Sequence, residues 1–266
     1  MLAKRLRQGM EFFAQIGPTH IWVFMLLVGL LAGLVKGVVG FAMPMVMISG
    51  LSTVVSPELA LAGLILPTLV TNFWQALRQG LRAAWESVCK YRIFLTVGAI
   101  VLLAAAQLVP YLSARFLALL IGVPVTCYAL ATLMGRMLRL PSDAGPKSEA
   151  AIGAVAGFFG GISGIWGPPT VAMLTARGTE KKENIRVQGV IYGLGSVMLT
   201  LGHLGSGVLN AQTIPFSALM IIPGMLGLWL GFQIQDRIEQ ATFRKVTLAV
   251  LLIAGLNLIR RGIMGI

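Results

Sequence analysis

The sequence predicts an all-α polytopic membrane protein made of two inverted repeats, each a glycine- and proline-broken (re-entrant) helix followed by three spanning helices. Three features predict it: an apolar composition, a glycine and proline pattern that occurs twice, and the distribution of Lys and Arg between the apolar runs.

Of the 266 residues, 57% are hydrophobic and 11% charged, far below the roughly 25% charged of a soluble domain. Such a chain lacks the polar surface to cover a globule in water. A spanning helix needs about 20 mostly apolar residues, and apolar runs occur at 21–52, 58–77, 93–110, 114–135, 150–176, 187–206, 214–233 and 246–260. The longest polar interval, 136–149, leaves no room for a soluble domain, so residues 1–266 read as a single transmembrane domain. The net charge of +12 would suggest nucleic-acid binding in a soluble chain. Here the basic residues lie between apolar runs, where they orient the chain in the bilayer, and no nucleic-acid partner is expected. Lys4, Arg5 and Arg7 precede the first run without a small-x-small cleavage site, so no cleaved signal peptide is read. Cys89 and Cys127 are too few for a disulfide framework and have no metal-ligand spacing.

Six of the runs look like ordinary spans, whereas 21–52 and 150–176 contain helix breakers. The first reads Gly33-xxx-Gly37-xx-Gly40-xxx-Pro44 and the second Gly157-xxx-Gly161-xx-Gly164-xxx-Pro168, the same order and spacing 124 residues on, from Gly33 to Gly157. This predicts an internal duplication, with repeat one at 21–136 and repeat two at 150–261.

The loops orient the repeats. Lys and Arg number three in 1–20, four in 78–92, three in 136–149, four in 177–186 and three in 237–245. They number zero in 53–57, one in 110–115, zero in 207–213 and two in 260–266. The first group is predicted to be cytoplasmic and the second external. The run 21–52 then ends outside and its counterpart ends inside, so the repeats are inverted. With legs of about 13 residues, too short for a hydrocarbon core of roughly 30 Å, 150–176 reads as a re-entrant hairpin. Strict inversion places residue 20 outside, whereas Lys4, Arg5 and Arg7 favour a cytoplasmic start, so 21–52 either opens to the outside as a hairpin or crosses once as a broken helix.

Gly33 with Gly37, or Gly157 with Gly161, would alone read as packing glycines. Gly40 with Pro44 and Gly164 with Pro168 turn each pattern into a break. Irregular backbone at membrane depth is tolerated where protein buries it or where it lines a cavity, and paired broken helices in inverted repeats are the arrangement of many secondary transporters. Pro44 and Pro168 suit the first turn of a second half-helix, where the missing N–H would be unpaired anyway. The free N–H groups and the helix dipole there favour an anion.

The charge census agrees. The nine acids, Glu11, Glu58, Glu86, Asp143, Glu149, Glu180, Glu183, Asp236 and Glu239, all fall in loops or at span ends. Of the basic residues only Lys36 falls well inside an apolar run, within the first break. A charge at that depth is a functional-site hypothesis, weighed against a late helix start with the lysine snorkelling to the interface. Asn72 and Gln75 on one span, and Gln188, Tyr192 and Ser196 at a spacing of four on another, are either ligand contacts or interhelical hydrogen bonds. Ser163, Trp166 and Thr170 lie at the second break, although Trp166 also fits an interfacial tryptophan. The candidate substrate site is thus Lys36, Gly37, Gly40, Pro44, Asn72, Gln75, Gly161, Ser163, Gly164, Trp166, Pro168, Thr170, Gln188 and Tyr192. His203, at the end of a span, reads as structural. No Ser/His/Asp set, paired carboxylates or metal-ligand cluster occurs in the spans, so no enzyme, cofactor or metal is expected.

The segment GFFGGISGIWGPP at 157–169, mirrored by GLVKGVVGFAMP at 33–44, resembles the paired glycine-rich motifs of the TauE/SafE sulfite exporter family. The likeness covers the whole chain in length, duplication and the polar helix after each motif. It departs at Ile165 and Trp166, and at Phe41, Ala42 and Met43, where the family pattern carries further glycines. The resemblance implies export of sulfite, sulfoacetate or related small organosulfur or carboxylate anions. The expectation is a transport domain in the bacterial cytoplasmic (inner) membrane, working by alternating access and without an obligatory Na⁺ or proton partner. An anion channel of the same architecture is the alternative. The expected partners are a small anionic substrate and the lipid bilayer, and a homodimer is left open.

Overall fold

The computed structural model describes residues 17–106, 113–136, 145–163, 167–205 and 207–264. Among them the regular elements are all α-helices: α1 (Thr19–Val39), α2 (Met43–Leu51), α3 (Pro57–Leu77), α4 (Leu81–Lys90), α5 (Arg92–Ala106), α6 (Ala114–Leu133), α7 (Pro146–Ser163), α8 (Gly167–Ala176), α9 (Lys181–Gly205), α10 (Thr213–Arg237) and α11 (Gln240–Met264). Among the described residues five segments are long and apolar enough to cross a bilayer, Thr19–Val39, Glu58–Leu77, Lys181–Gly205, Thr213–Arg237 and Gln240–Met264, and the pair α4 and α5 passes the same test only when taken together across a bend of 71°. Leu27, Leu31, Ile222 and Trp229 are each more than half exposed, which suits a chain whose outer faces meet lipid rather than water. The protein is a multi-pass membrane protein.

Helix boundaries repeat along the chain. Helices α1 and α7 end 124 residues apart, at Val39 and Ser163, and α2 and α8 begin at the same offset, at Met43 and Gly167. Helices α3 and α9 do so as well, at Pro57 and Lys181. The legs of the broken units differ from the expected even hairpin. Helix α7 has 18 residues and α1 has 21, about 27 and 31 Å at 1.5 Å per residue, whereas α8 has 10 and α2 has 9. The long leg of α7 begins before its apolar run, because Pro146 suits a first helical position and the Ser148 and Glu149 amides donate to the Gly145 carbonyl at 3.0 and 3.2 Å.

The interval 78–92, read from sequence as a loop, contains helix α4. Hydropathy hides it because its apolar residues form a stripe rather than a run. Ala84 and Ser87 are buried, Leu81 and Trp85 are exposed apolar residues, and Arg82, Glu86 and Lys90 are exposed polar ones. At 100° per residue these occupy three separate arcs, the pattern of a helix lying in a membrane interface.

The chain divides into two compact units, Met1–Gln75 with Gly193–Arg237 and Ala76–Tyr192 with Ile238–Ile266. In the first unit α1 packs along α10. Glycines permit this: a Cβ on Gly33 would overlap the Gly224 carbonyl, and one on Gly227 would overlap the Leu30 carbonyl. Met25, Val28 and Ala32 of α1, Met43, Met47 and Leu51 of α2, Ala60 and Leu64 of α3, and Phe216 and Met220 of α10 form its core. In the second unit α7 packs along α5 in the same manner, with Gly157 against Gly98, and α6 packs on α11. Glu149, expected in a loop, caps α5 there by accepting from the Phe94 amide at 3.0 Å.

Candidate functional site

The first break is three residues long, Gly40 to Ala42, and two of them are left-handed. Gly40 has φ 90° and ψ −6°, and its amide donates to the Lys36 carbonyl at 2.6 Å. Ala42 has φ 74° and ψ −10°, caps α2 without a side-chain hydrogen bond, and accepts from the Val46 amide at 3.0 Å. A left-handed conformation costs a residue with a Cβ roughly 1–2 kcal/mol. Ala42→Gly should therefore raise the thermal stability of the purified protein by about 0.5–1 kcal/mol, the relief being partly offset by glycine's greater freedom when unfolded. A lowered unfolding temperature would contradict the strain. Pro44 is the second residue of α2 and Pro168 the second of α8, each in a first turn where no amide partner is lost.

Around this break stands one polar face of α3. Thr68, Thr71, Asn72 and Gln75 recur at helical spacing, and all are buried. Three of them reach the break. The Lys36 ammonium donates to Asn72 Oδ1, Gln75 Nε2 donates to the Gly40 carbonyl at 3.1 Å, and the Thr71 hydroxyl lies 3.3 Å from Met43 Sδ while donating to the Pro67 carbonyl at 2.6 Å. The sequence reading had Asn72 and Gln75 but missed Thr68 and Thr71, although their offsets of seven and four residues from Gln75 were the available signal.

Lys36 is only 2% exposed, so its ammonium is held in the protein and does not snorkel. No carboxylate among the described residues pairs with it. Gly37, one residue on, faces α10, where a Cβ would lie 2.8 Å from the Gly231 Cα, and so it serves helix packing.

Helix α7 ends at Ser163 and α8 begins at Gly167, and Gly164 and Trp166, which lie between them in the sequence, fall outside the described residues. Gly161 and Ser163 belong to the last turn of α7. The following helix, α8, is tied to its neighbours by phenols: Tyr192 donates to the Gly167 carbonyl at 3.1 Å and bonds the Thr170 side chain, while Tyr128 donates to the Ala172 carbonyl at 3.0 Å. Thr170 and Gln188 are fully buried, and Gln188 Nε2 donates to Asn184 Oδ1 at 2.6 Å. Asn184, one turn before Gln188, was hidden from the sequence reading by the charged residues around it. Ser196 is buried on the same helix and bonds the Gly193 carbonyl at 2.8 Å. His203 lies in the last turn of α9, where its carbonyl accepts from the Leu209 amide.

The first break thus carries Gln75 of α3 on its Gly40 carbonyl, and Gly167, the first residue of α8, carries Tyr192 of α9. Such contacts satisfy backbone groups that lipid could not, and beside Lys36 they leave a buried cation with neutral hydrogen-bonding neighbours. The family model described as Sulfite exporter TauE/SafE matches residues 25–258. Comparisons with curated proteins and with solved structures find no match. The matched stretch begins within α1, ends within α11 and contains both glycine and proline patterns, and the chain belongs to the sulfite exporter TauE/SafE family of membrane transporters.

Proposed function

We propose that this protein exports small organosulfur or organic anions, such as sulfite or sulfoacetate, from the cytoplasm across a bacterial inner membrane by alternating access of two inverted repeats. The observation that carries the reading is Lys36, a buried ammonium at a helix break whose acceptor is the Asn72 carboxamide and which has no carboxylate partner among the described residues. A buried charge is costly unless paired, so a transported anion is the natural counter-charge. The repeated helix boundaries and the exchanged packing partners, α1 on α10 and α7 on α5, support two equivalent repeats, since α5 and α10 hold corresponding places in them.

Proteoliposomes loaded with sulfoacetate test the reading. An interior-negative potential drives each negative charge outward with roughly 2.3 kcal/mol per 100 mV, equivalent to about a 50-fold gradient. Efflux should follow a potential set by K⁺ and valinomycin, saturate with substrate as a carrier does, and ignore Na⁺ or pH gradients of equal size. Non-saturating flux would favour a channel, and accumulation driven by a pH gradient at zero potential would overturn the uniport.

A further inference from the structure

The second unit holds another cationic feature, which the Lys36 site does not use. Arg177 directly follows α8, and its backbone is fixed by a closed C-terminal turn. Its amide donates to the Met173 carbonyl at 2.9 Å, Gly178 at φ +65° donates to the Thr175 carbonyl at 3.1 Å, and Thr179 donates to the Leu174 carbonyl at 3.1 Å. This is the double closure that ends helices on a left-handed glycine.

Other charged groups share its unit. Lys90, Arg177 and Glu183 all lie within electrostatic range of the Tyr91 phenol, and Arg186 lies within range of Lys90. Glu183 is engaged by Lys90 at 2.5 Å, and Glu86 by Arg82 at 3.2 Å. Arg186 donates through Nε to Ser87 Oγ at 2.7 Å and through Nη1 to Gln79 Oε1. Arg177 Nε and Nη2 are closed off from solvent and meet no acceptor among the described residues. These two nitrogens form the side edge of the guanidinium, whose parallel N–H groups match two oxygens of a carboxylate, sulfonate or phosphate. A buried donor left unmade is costly, and an oxyanion would remove that cost. Arg177 as a whole is partly exposed.

We propose that Arg177 anchors an oxyanion-binding site in the second unit that takes one sulfonate, carboxylate or phosphate group on its Nε and Nη2 edge. The full chain in phosphatidylcholine nanodiscs, carrying Lys36→Met to silence the break, is titrated with radiolabelled sulfate as a redox-inert probe. Saturable binding at one site is expected. Arg177→Gln should abolish it, and Arg177→Lys, which keeps the charge and loses the fork, should weaken it about tenfold while the protein stays monodisperse. Phosphatidylglycerol added to the discs separates two sources of the group. Competition with sulfate identifies a lipid phosphate as the ligand and its absence identifies a free anion, and either supports the site. No saturable binding with Arg177 intact, or binding unchanged in both Arg177 variants, overturns the proposal. Transport by the Lys36→Met protein reports on the break alone, so the two readings fail separately.

Discussion

Lys36→Met should cut anion efflux from proteoliposomes about 10- to 100-fold while leaving thermal stability unchanged or slightly raised. The size follows from hydrogen bonds to charged groups, worth about 1.5–3 kcal/mol, at 1.4 kcal/mol per factor of ten. The opposite sign on stability follows from desolvation. Lys36 is buried against Asn72 without a carboxylate among the described residues, and replacing a buried charge by an apolar side chain of similar length is often neutral or favourable. A structural lysine would show both quantities falling together. Asn72→Leu is the companion: it strands the ammonium without its acceptor and should lower stability by about 1–3 kcal/mol. Efflux at the wild-type rate in Lys36→Met would remove the first break from the transport path.

Gly33→Ala, Gly227→Ala and Gly157→Ala should each cost more than about 2 kcal/mol and sharply reduce the yield of folded protein. A Cβ on Gly33 would overlap the Gly224 carbonyl and lie 2.9 Å from the Leu228 nitrogen. On Gly227 it would overlap the Leu30 carbonyl and lie 2.7 Å from the Leu34 nitrogen, and on Gly157 it would lie 2.9 Å from the Gly98 Cα. These neighbours are backbone and cannot rotate away, so the helices must separate. Overpacking typically costs 1–3 kcal/mol, and helices in lipid associate largely through the close packing that would be lost. Gly202→Ala is the control. Nothing lies within 4 Å of its Cβ position, so the better helix former should stabilise by about 0.5–1 kcal/mol. Detergent-solubilised protein compared by size-exclusion chromatography and thermal unfolding reads both. Normal folding of Gly33→Ala and Gly227→Ala would mean that α1 and α10 do not approach so closely.

Both effects arise from motifs visible in the sequence, yet they differ in how visible they were. The first break was legible because proline and glycine act locally: Pro44 cannot donate an amide, and Gly40 takes the left-handed turn. Lys36 was legible because a cation in an apolar run has few inexpensive explanations. Thr68 and Thr71 were not, since a threonine in an apolar helix looks the same whether it faces lipid or a break. Helix α4 was missed because its apolar residues lie on one stripe, and α7 was read too short because Pro146 to Glu149 are polar but helical.

The sequence by itself determined the helical membrane class, the repeated break pattern and the place of the buried lysine, because composition, backbone chemistry and the cost of a charge in lipid are properties of single residues and their near neighbours. The tertiary structure alone decided which glycine breaks and which packs. Gly37 and Gly40 are the same residue three positions apart, but Gly37 lies against Gly231 of α10 while Gly40 turns left-handed and carries Gln75 on its carbonyl. It also decided that Lys36 rests on Asn72 and that the Arg177 edge is left without an acceptor among the described residues. These depend on helices far apart in the chain, and a one-dimensional pattern does not encode which partner presents its backbone or its acceptor at a given point.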